Sequence, residues 1–169
     1  AMGGSIGATS QLGQGSTFRV ILPLTPTAPA PSAQEAPPAT ISREGALNVL
    51  VAEDHEVNRK TLGLMLSALG AHADFVETGL GAVEACSRGR FDLILMDMQM
   101  PGMDGLEATR RIRAMEAEGD TRTPIIMLSA NALAEHVEAA TAAGCDLHLA
   151  KPVTPRSLLE AVARALEAS

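Results

Sequence analysis

The sequence predicts an α/β fold, in which a doubly wound parallel sheet is covered by helices on both faces. Two observations predict it. From residue 46 onward, five short apolar runs of strand length alternate with five longer segments whose apolar residues recur at helical spacing. Apolar residues make up 46% of the 169-residue chain, which is enough for a core on both sides of a sheet, and aromatic residues only 2%. The core should therefore be aliphatic.

The five strand candidates are apolar runs that end at polar or turn residues. In chain order they are Leu47–Ala52, His72–Val76, Asp92–Met96, Pro124–Leu128 and Asp146–Ala150. The third lies in the stretch FDLILMDMQMPGMDG, residues 91–105, where the apolar run leads straight into the carboxylate of Asp97. A carboxylate is costly to bury unpaired, so its position calls for a functional or electrostatic reason.

Each helix candidate has a start or stop signal. Thr78, Asp104 and Thr154 are helix-capping residues, and Gly70 and Gly144 end the first and fourth helices. The apolar residues expected to face the core are Val57, Leu62, Met65, Leu66, Leu69, Leu80, Val83, Leu106, Ile112, Met115, Leu133, Val137, Ala140, Leu158, Leu159, Val162 and Leu166. About 120 residues is too short for a closed eight-stranded barrel. We therefore expect an open flavodoxin-like sheet of strand order 2-1-3-4-5, whose ligands bind at the carboxyl ends of the strands.

The first 45 residues differ in composition from the rest. Residues 1–24 contain five glycines before an alternating run, which predicts a hairpin around Gln11 to Gly15. Two strands alone are marginally stable in water, so we expect a mobile N-terminal tail, as a hairpin or disordered. Residues 25–45 are rich in proline and alanine and are interpreted as an interdomain linker, with a proline-rich ligand segment as the alternative. Residues 46–169 form the main domain.

The run GGSIGATSQLGQGSTFRVILPL near the N-terminus resembles the last residues of a histidine-kinase ATP-binding domain. The resemblance implies that residues 1–24 are a remnant of such a domain; a cloning scar with a disordered tail is the alternative. The nucleotide-binding residues of that domain lie upstream of this run, so we expect no ATP-dependent kinase activity from this chain.

Charge and composition exclude several classes of function. The net charge is −7, and the charged residues of the first 46 positions cancel, so the excess lies in the main domain. An acidic domain without a basic patch is a poor nucleic-acid binder. No stretch has the length and apolarity of a membrane span, and no signal peptide appears in the sequence. Cys86 and Cys145 fit no metal or redox spacing, as expected for idle thiols in a reducing cytoplasm.

Polar residues stand at the carboxyl ends of four predicted strands. They are Glu53 and Asp54 after the first strand, Asp97 after the third, Ser129 after the fourth and Lys151 after the fifth. Close carboxylates repel, and a hard divalent ion such as Mg²⁺ with oxygen ligands relieves the repulsion. Asp97 is a carboxylate nucleophile able to form an acyl phosphate, while Lys151 and Ser129 can hold phosphate oxygens. The alternative is an ion-pair cluster that only stabilises the sheet edge.

With these motifs, residues 47–169 resemble the receiver domain of two-component response regulators over their whole length. The matching segments are LNVLVAEDHEVN, LILMDMQMPGMDG, PIIMLSAN and LAKP. The resemblance implies that Asp97 is phosphorylated by a phosphohistidine, that Ser129 is the switch hydroxyl and that Lys151 binds phosphate. It assigns Mg²⁺ (or Mn²⁺) to Asp54, Asp97 and the backbone carbonyl of Gln99, with Glu53 assisting. It also implies a cis peptide bond between Lys151 and Pro152.

Three positions depart from the family pattern. His55 follows the acidic pair where Asn is frequent, and Ser129 replaces the commoner Thr. His148 stands at the switch position, where Tyr or Phe usually reports phosphorylation by rotating. The acceptor chemistry remains intact, but the aromatic readout is in question. A histidine there would make the switch pH-sensitive, and a half-exposed strand residue without such a role is the alternative.

The leading functional hypothesis is a phosphoacceptor receiver at the C-terminal end of a hybrid histidine kinase. Its partners would be a histidine kinase domain of the same or another protein and a histidine phosphotransfer protein that docks near the first helix. We expect a cytoplasmic fragment without direct membrane contact, whose parent kinase is either membrane-anchored or not. One alternative is a Mg²⁺-dependent phosphatase with an aspartyl nucleophile, although Gln99 stands where such enzymes usually carry a second Asp. The other is a protein-binding module that works without phosphorylation.

Overall fold

The structure, a computed structural model, describes residues 3–13, 15–21, 23, 46–117, 119, 122–130 and 133–167. The chain divides into two compact units, residues 1–36 and residues 37–169. The linker predicted at residues 25–45 lies outside the described residues.

The first unit contains an antiparallel hairpin. Strand β1 spans Ser5–Gln11 and strand β2 spans Gly15–Ile21, with Ser5 opposite Ile21 and Gln11 opposite Gly15. The turn therefore lies where the glycine-punctuated sequence predicts it. Every residue of both strands is exposed, so the hairpin has no core of its own. Its assignment as a remnant of a kinase ATP-binding domain stays a prediction.

The second unit alternates strands and helices as predicted. Its elements are β3 Asn48–Ala52, α1 Glu56–Ala68, β4 His72–Val76, α2 Gly79–Arg88, β5 Leu93–Asp97, α3 Gly105–Glu116, β6 Ile125–Ser129, α4 Ala134–Ala143, β7 Leu147–Ala150 and α5 Pro155–Glu167. Strands β5 and β6 run one residue further than predicted, so that Asp97 and Ser129 are the last residues of their strands. No helix among the described residues is long and apolar enough to span a membrane.

The strands of this unit form one parallel sheet in the order β4-β3-β5-β6-β7. Counted from the first strand of the unit, this is the predicted order 2-1-3-4-5, and the flavodoxin-like prediction is confirmed. The register pairs Asp97 with Leu128 and Ser129 with Ala150, so the carboxyl ends of β5, β6 and β7 are nearly level. Polar side chains at those ends consequently share one edge of the sheet.

The core consists of two aliphatic layers, one on each face of the sheet. One face packs against α1 and α5, and its members include Val51, Leu66, Leu95, Leu128, Leu158 and Val162. The other packs against α2, α3 and α4, and its members include Leu50, Ala82, Ile94, Ile112, Met127 and Ala140. Because successive strand residues point to opposite faces, a sheet covered on both sides requires the continuous apolar runs seen in the sequence.

The predicted caps are present. The side chains of Thr78, Asp104 and Thr154 accept hydrogen bonds from the backbone N–H groups of Gly81, Glu107 and Ser157, at 3.1, 2.8 and 3.1 Å. Such bonds satisfy N–H groups that lack partners in the first turn of a helix. Gly144 follows α4 in the left-handed conformation, with φ of 99°, which only glycine adopts at little cost.

Five residues expected to face the core are exposed instead: Val57, Leu80, Met115, Leu133 and Val137. Val57 precedes the buried Leu62 of α1 by five residues, which turns its side chain about 140° away from that of Leu62. Leu80 lies two residues before the buried Ala82 of α2, about 160° away by the same geometry. Apolar character alone therefore overstated the width of the buried stripe on these helices.

Gly105, the first residue of α3, approaches the acceptor strand so closely that a side chain does not fit. A Cβ at this position would lie 2.1 Å from the carbonyl oxygen of Asp97 and 2.9 Å from its carbonyl carbon. Because backbone atoms cannot rotate out of the way, we expect Gly105→Ala to lower the free energy of unfolding by about 2–4 kcal/mol in urea denaturation.

Gly89→Ala is the matched control. A Cβ at position 89 would meet nothing within 4 Å, and the backbone there is extended. We expect its free energy of unfolding to stay within about 0.5 kcal/mol of the wild type. Equal losses in the two variants would contradict the steric argument.

Candidate active site

The residues predicted at the strand ends come together at the carboxyl edge of the sheet. One carboxylate oxygen from each of Glu53, Asp54 and Asp97 lies within 4.8 Å of the others. The ammonium of Lys151 is 2.7 Å from Asp97 Oδ2 and 2.7 Å from Glu53 Oε2. The backbone N–H of Lys151 donates to the carbonyl of Ser129 at 2.8 Å, which continues the β6–β7 pairing to the edge.

Burial differs sharply within this cluster. Glu53 is fully buried, Asp97 is 5% exposed and Ser129 is 3% exposed, whereas Asp54 is exposed. The Lys151 side chain is 22% exposed. The cluster therefore has one open side, formed by Asp54 and the tip of Lys151, through which a ligand can reach Asp97.

The ammonium of Lys151 is the shared ion-pair partner of two carboxylates, Glu53 and Asp97. Burial opposes the ionisation of Glu53, yet hydrogen bonds from Lys151 and Asn58 outweigh it, and the pKa of Glu53 falls below its usual value. Burial also opposes the ionisation of Asp97, and the negative charge of Glu53 adds to that effect, so the pKa of Asp97 is raised despite its contact with Lys151. Glu53 is consequently the more strongly ionised of the pair.

Lys151 is held in its charged form. Burial disfavours the ammonium, but hydrogen bonds to Asp97 and Glu53 and the charges of both carboxylates outweigh burial and raise the pKa of Lys151. The cation is therefore present at every physiological pH. Two carboxylates and one ammonium still leave a net negative charge, to which the exposed Asp54 adds. Such a site attracts a further cation.

The loop between β3 and α1 is braced by two residues of α1 that the sequence analysis did not single out. Asn58 donates from Nδ2 to Glu53 Oε1 at 2.9 Å. The guanidinium of Arg59 donates to the carbonyl oxygens of Glu53 and Asp54 at 2.8 and 2.6 Å, and to Glu77 Oε1 at 2.6 Å. The sequence offered one indication: both residues lie in the first turn of the helix that immediately follows the acidic pair.

Gln99 lies in the loop after the acceptor strand. Its backbone N–H donates to Asp97 Oδ1 at 3.3 Å, which orients the carboxylate whose other oxygen meets Lys151. The predicted use of the Gln99 carbonyl as a metal ligand stays a prediction. The next turn of this loop is secured by Gly105, whose N–H donates to the carbonyl of Met98 at 3.0 Å.

The hydroxyl of Ser129 and the imidazole of His148 are joined across β6 and β7. Ser129 Oγ and His148 Nε2 are 2.7 Å apart. Burial, followed by the nearby His136 of α4, lowers the pKa of His148. The two positions singled out for the switch hydroxyl and the switch residue are thus in direct contact, which links the buried hydroxyl to a half-buried ring on the α4 side of the sheet.

The donor set fits a hard divalent cation. Carboxylate and carbonyl oxygens are the ligands that Mg²⁺ and Mn²⁺ accept, and Mg²⁺ typically uses one or two carboxylates together with phosphate oxygens and water. Glu53, Asp54 and Asp97 form the acidic group in the described part of the chain from which such ligands would come. The peptide bond between Lys151 and Pro152 is cis, as the sequence resemblance implies.

Comparison with known proteins gives consistent matches. The family model of the response regulator receiver domain matches residues 49–163. Sensor protein GacS of Pseudomonas syringae pv. syringae is 42% identical over 118 residues, which cover 69% of this chain and 13% of GacS. Sensory/regulatory protein RpfC of Xanthomonas campestris pv. campestris is 32% identical over 187 residues, covering 96% of this chain and 26% of RpfC. The chain thus spans about a quarter or less of these relatives.

Two solved structures illustrate the likeness in three dimensions. The receiver domain of sensor histidine kinase PA1611 from Pseudomonas aeruginosa, with magnesium coordinated in its active-site cleft, matches with a TM-score of 0.67 and 39% identity, over 73% of this chain and 99% of that one. The complex of the Saccharomyces cerevisiae phosphotransfer protein Ypd1 with the receiver domain of Ssk1 matches with a TM-score of 0.64 and 29% identity, over 69% of this chain and 86% of that one.

Because Lys151 occupies both buried carboxylates, it competes with a divalent cation for them. We expect Lys151→Ala to bind Mg²⁺ about tenfold more tightly than the wild type, measured by isothermal titration calorimetry, a gain of about 1.4 kcal/mol. Lys60→Ala removes the same charge from an exposed pair with Glu56 on α1 and should change the affinity less than about twofold. Weaker Mg²⁺ binding in Lys151→Ala would contradict the competition.

The raised pKa of Asp97 predicts a pH-dependent gain of stability when its charge is removed. In EDTA at pH 7, Asp97→Asn should raise the free energy of unfolding, because the folded state disfavours the ionised carboxylate. Near the unfolded-state pKa of about 3.9, the wild-type carboxyl is protonated in the folded state, so the gain should shrink as the pH falls toward 4. Urea denaturation across this range measures it, and a difference that is constant with pH would refute the explanation.

Proposed function

The chain belongs to the response regulator receiver domain family, and on that premise we propose that Asp97 accepts a phosphoryl group from a phosphohistidine. The observation that supports this most is the arrangement around Asp97. It is a nearly buried carboxylate at the end of a central strand, with one oxygen held by Lys151 and its open side lined by Asp54 and the tip of Lys151. A purely structural ion pair would not need that access.

The transfer follows from the groups present. The carboxylate oxygen of Asp97 that does not contact Lys151, Oδ1, attacks phosphorus, the N–P bond of the phosphohistidine breaks, and the imidazole nitrogen leaves with the bonding electron pair. The product is an acyl phosphate on Asp97. Lys151, already 2.7 Å from Asp97 Oδ2, then stabilises a phosphoryl oxygen as a compact charge, and Ser129 donates its hydroxyl proton to another.

The metal ligands proposed for this chain are Asp54, Asp97 and the carbonyl of Gln99, with Glu53 assisting. A bound Mg²⁺ or Mn²⁺ ion neutralises charge on the phosphoryl oxygens and on the carboxylates that surround them. Support comes from the three clustered carboxylates of this structure. The contacts of Asn58 and Arg59 keep the acidic loop in place whether or not a cation is bound.

The proposed partners are a histidine kinase domain, of the same or another protein, and a histidine phosphotransfer protein. A docking site beside the acceptor is supported by α1, which begins two residues after Asp54 and exposes Val57 by 62% and Leu64 by 75%. These side chains are seven residues apart and so lie on one face. Exposed apolar side chains on a helix face are suited to packing against a helix of another protein.

The parent protein is proposed to be a hybrid histidine kinase, with this receiver relaying phosphate or regulating the kinase. The matches to the sensor proteins GacS and RpfC support this proposal. A cytoplasmic location agrees with the two free thiols of Cys86 and Cys145, which are neither paired nor clustered as in secreted proteins.

Phosphorylation of the isolated chain tests the proposal directly. With Mg²⁺ and acetyl phosphate, or with a phosphorylated histidine phosphotransfer protein, we expect one acid-stable, base-labile phosphate in the wild type, measured by intact-mass spectrometry. Asp97→Asn and excess EDTA should each reduce the yield at least about 100-fold, because the nucleophile or the charge-neutralising ion is lost.

Asp74→Asn is the matched control, since Asp74 is an exposed carboxylate on β4, which β3 separates from β5, and it is not part of the acidic cluster. Its phosphate yield should equal that of the wild type. An adduct that persists in Asp97→Asn would refute the assignment of the acceptor. Rapid turnover of unrelated phosphomonoesters would favour a phosphatase, and partner binding without any adduct would favour a phosphorylation-independent module.

A further inference from the structure

We propose that Arg59 is a positioning residue for the divalent cation. Its guanidinium holds the backbone on both sides of Asp54 and thereby keeps the carboxylate of Asp54 beside that of Asp97, where a cation can bind both. The affinity of the domain for Mg²⁺ then depends on a side chain that is not itself a metal ligand. This inference rests on the proposed function, because the cation belongs to the same site.

Two of the three clustered carboxylates are held by partners of their own. The side chain of Glu53 accepts hydrogen bonds from Lys151 at 2.7 Å and from Asn58 at 2.9 Å. The carboxylate of Asp97 contacts Lys151 at 2.7 Å and accepts a hydrogen bond from the backbone N–H of Gln99 at 3.3 Å. The orientation of these two carboxylates is therefore determined by contacts of their own oxygens.

The third carboxylate, that of Asp54, is held differently. Its side chain is exposed and forms no hydrogen bond or ion pair with the residues that the structure describes. Nevertheless, one of its oxygens lies within 4.8 Å of carboxylate oxygens of Glu53 and Asp97, a distance at which like charges repel. The place of Asp54 in the cluster consequently depends on the backbone that carries it.

Arg59 restrains that backbone directly. Its Nη1 donates to the carbonyl oxygen of Glu53 at 2.8 Å and to the carbonyl oxygen of Asp54 at 2.6 Å. These carbonyls belong to the two peptide groups that flank the Cα atom of Asp54, so one nitrogen fixes both. Hydrogen bonds from a charged donor are stronger than those between neutral groups.

The guanidinium is itself fixed in place. Its Nη2 donates to Oε1 of Glu77, the residue that directly follows β4, at 2.6 Å, and the Arg59 side chain is only 16% exposed. The N–H of Glu53 also donates to the carbonyl of Val76 at 3.0 Å, so the acidic loop and the end of β4 are joined twice. A planar fork bonded to three oxygens presents its donors in one orientation.

The charge of Arg59 and its hydrogen bonds act on a cation in opposite directions. Its positive charge alone would repel Mg²⁺, so that removing the charge would tighten binding. Its hydrogen bonds keep Asp54 in place, so that removing them would weaken binding. The direction of the change in affinity therefore distinguishes positioning from simple electrostatics.

Arg59→Met keeps an unbranched apolar stem and removes every donor. We expect the Kd for Mg²⁺, measured by isothermal titration calorimetry, to rise about tenfold, as is typical when a residue that orients metal ligands is lost. Lys60→Met is the matched control, because it removes a cation one residue further along α1 from an exposed pair with Glu56, and its Kd should change less than about twofold. Equal or tighter binding in Arg59→Met would overturn the inference.

The rate of phosphorylation by acetyl phosphate, measured against Mg²⁺ concentration, separates positioning from a general loss of structure. The half-saturating Mg²⁺ concentration of Arg59→Met should rise about tenfold, while the rate at saturating Mg²⁺ should stay within about twofold of the wild type. A lower rate at saturation with an unchanged half-saturating concentration would overturn the inference.

Urea denaturation in EDTA establishes that the variant is folded. Should Arg59→Met be unfolded, Arg59→Gln takes its place. The shorter amide cannot span both carbonyl groups, so its Kd for Mg²⁺ should still rise at least about threefold, and an unchanged or lower Kd would overturn the inference.

The wild type separates the failure of this inference from that of the proposed function. If the wild type binds no Mg²⁺ in calorimetry, the proposed ligand set fails and the role of Arg59 falls with it. If the wild type binds Mg²⁺ and is phosphorylated on Asp97, but Arg59→Met binds Mg²⁺ equally well, the inference alone fails.

Discussion

The ammonium of Lys151 lies between two carboxylates, and the rest of the carboxyl edge is arranged around that shared charge. Without it, a fully buried Glu53 and a nearly buried Asp97 would face each other without a counter-ion, which is costly in a protein interior. With it, one carboxylate is easily ionised and the other is held back. This asymmetry suits an acceptor. Glu53 stays negatively charged, whereas the negative charge of Asp97 is disfavoured and is relieved when bond formation spreads it over an incoming group.

The supporting contacts divide the site into a rigid and an adjustable half. On the β3 side, Arg59 and Asn58 hold the backbone and side chains of the acidic loop through three hydrogen bonds. On the β6–β7 side, Ser129 and His148 meet through groups that can each donate or accept. The acidic loop can therefore stay in place when a cation displaces the ammonium of Lys151, whereas the hydrogen bonds that can reverse lie on the Ser129–His148 side.

Much of this arrangement could be predicted from the sequence, for a geometric reason. Parallel strands bring their carboxyl ends to one edge, so a polar residue at the end of each apolar run locates the site without any knowledge of distances. What escaped prediction depends on side-chain reach. Arg59 looks like an ordinary surface cation of a helix, and only the path of the preceding loop shows that it donates to two carbonyl groups. The pairing of Lys151 with Glu53 as well as Asp97 likewise depends on how far β3 and β7 are separated across the sheet.

The missing side chain of Gly105 has a mechanical consequence. The start of α3 rests directly against the carbonyl group of Asp97, with no side chain between helix and acceptor strand. A displacement of the Asp97 backbone toward α3 would therefore press directly on the first turn of that helix. One glycine thus ties the position of α3 to the backbone of the acceptor residue.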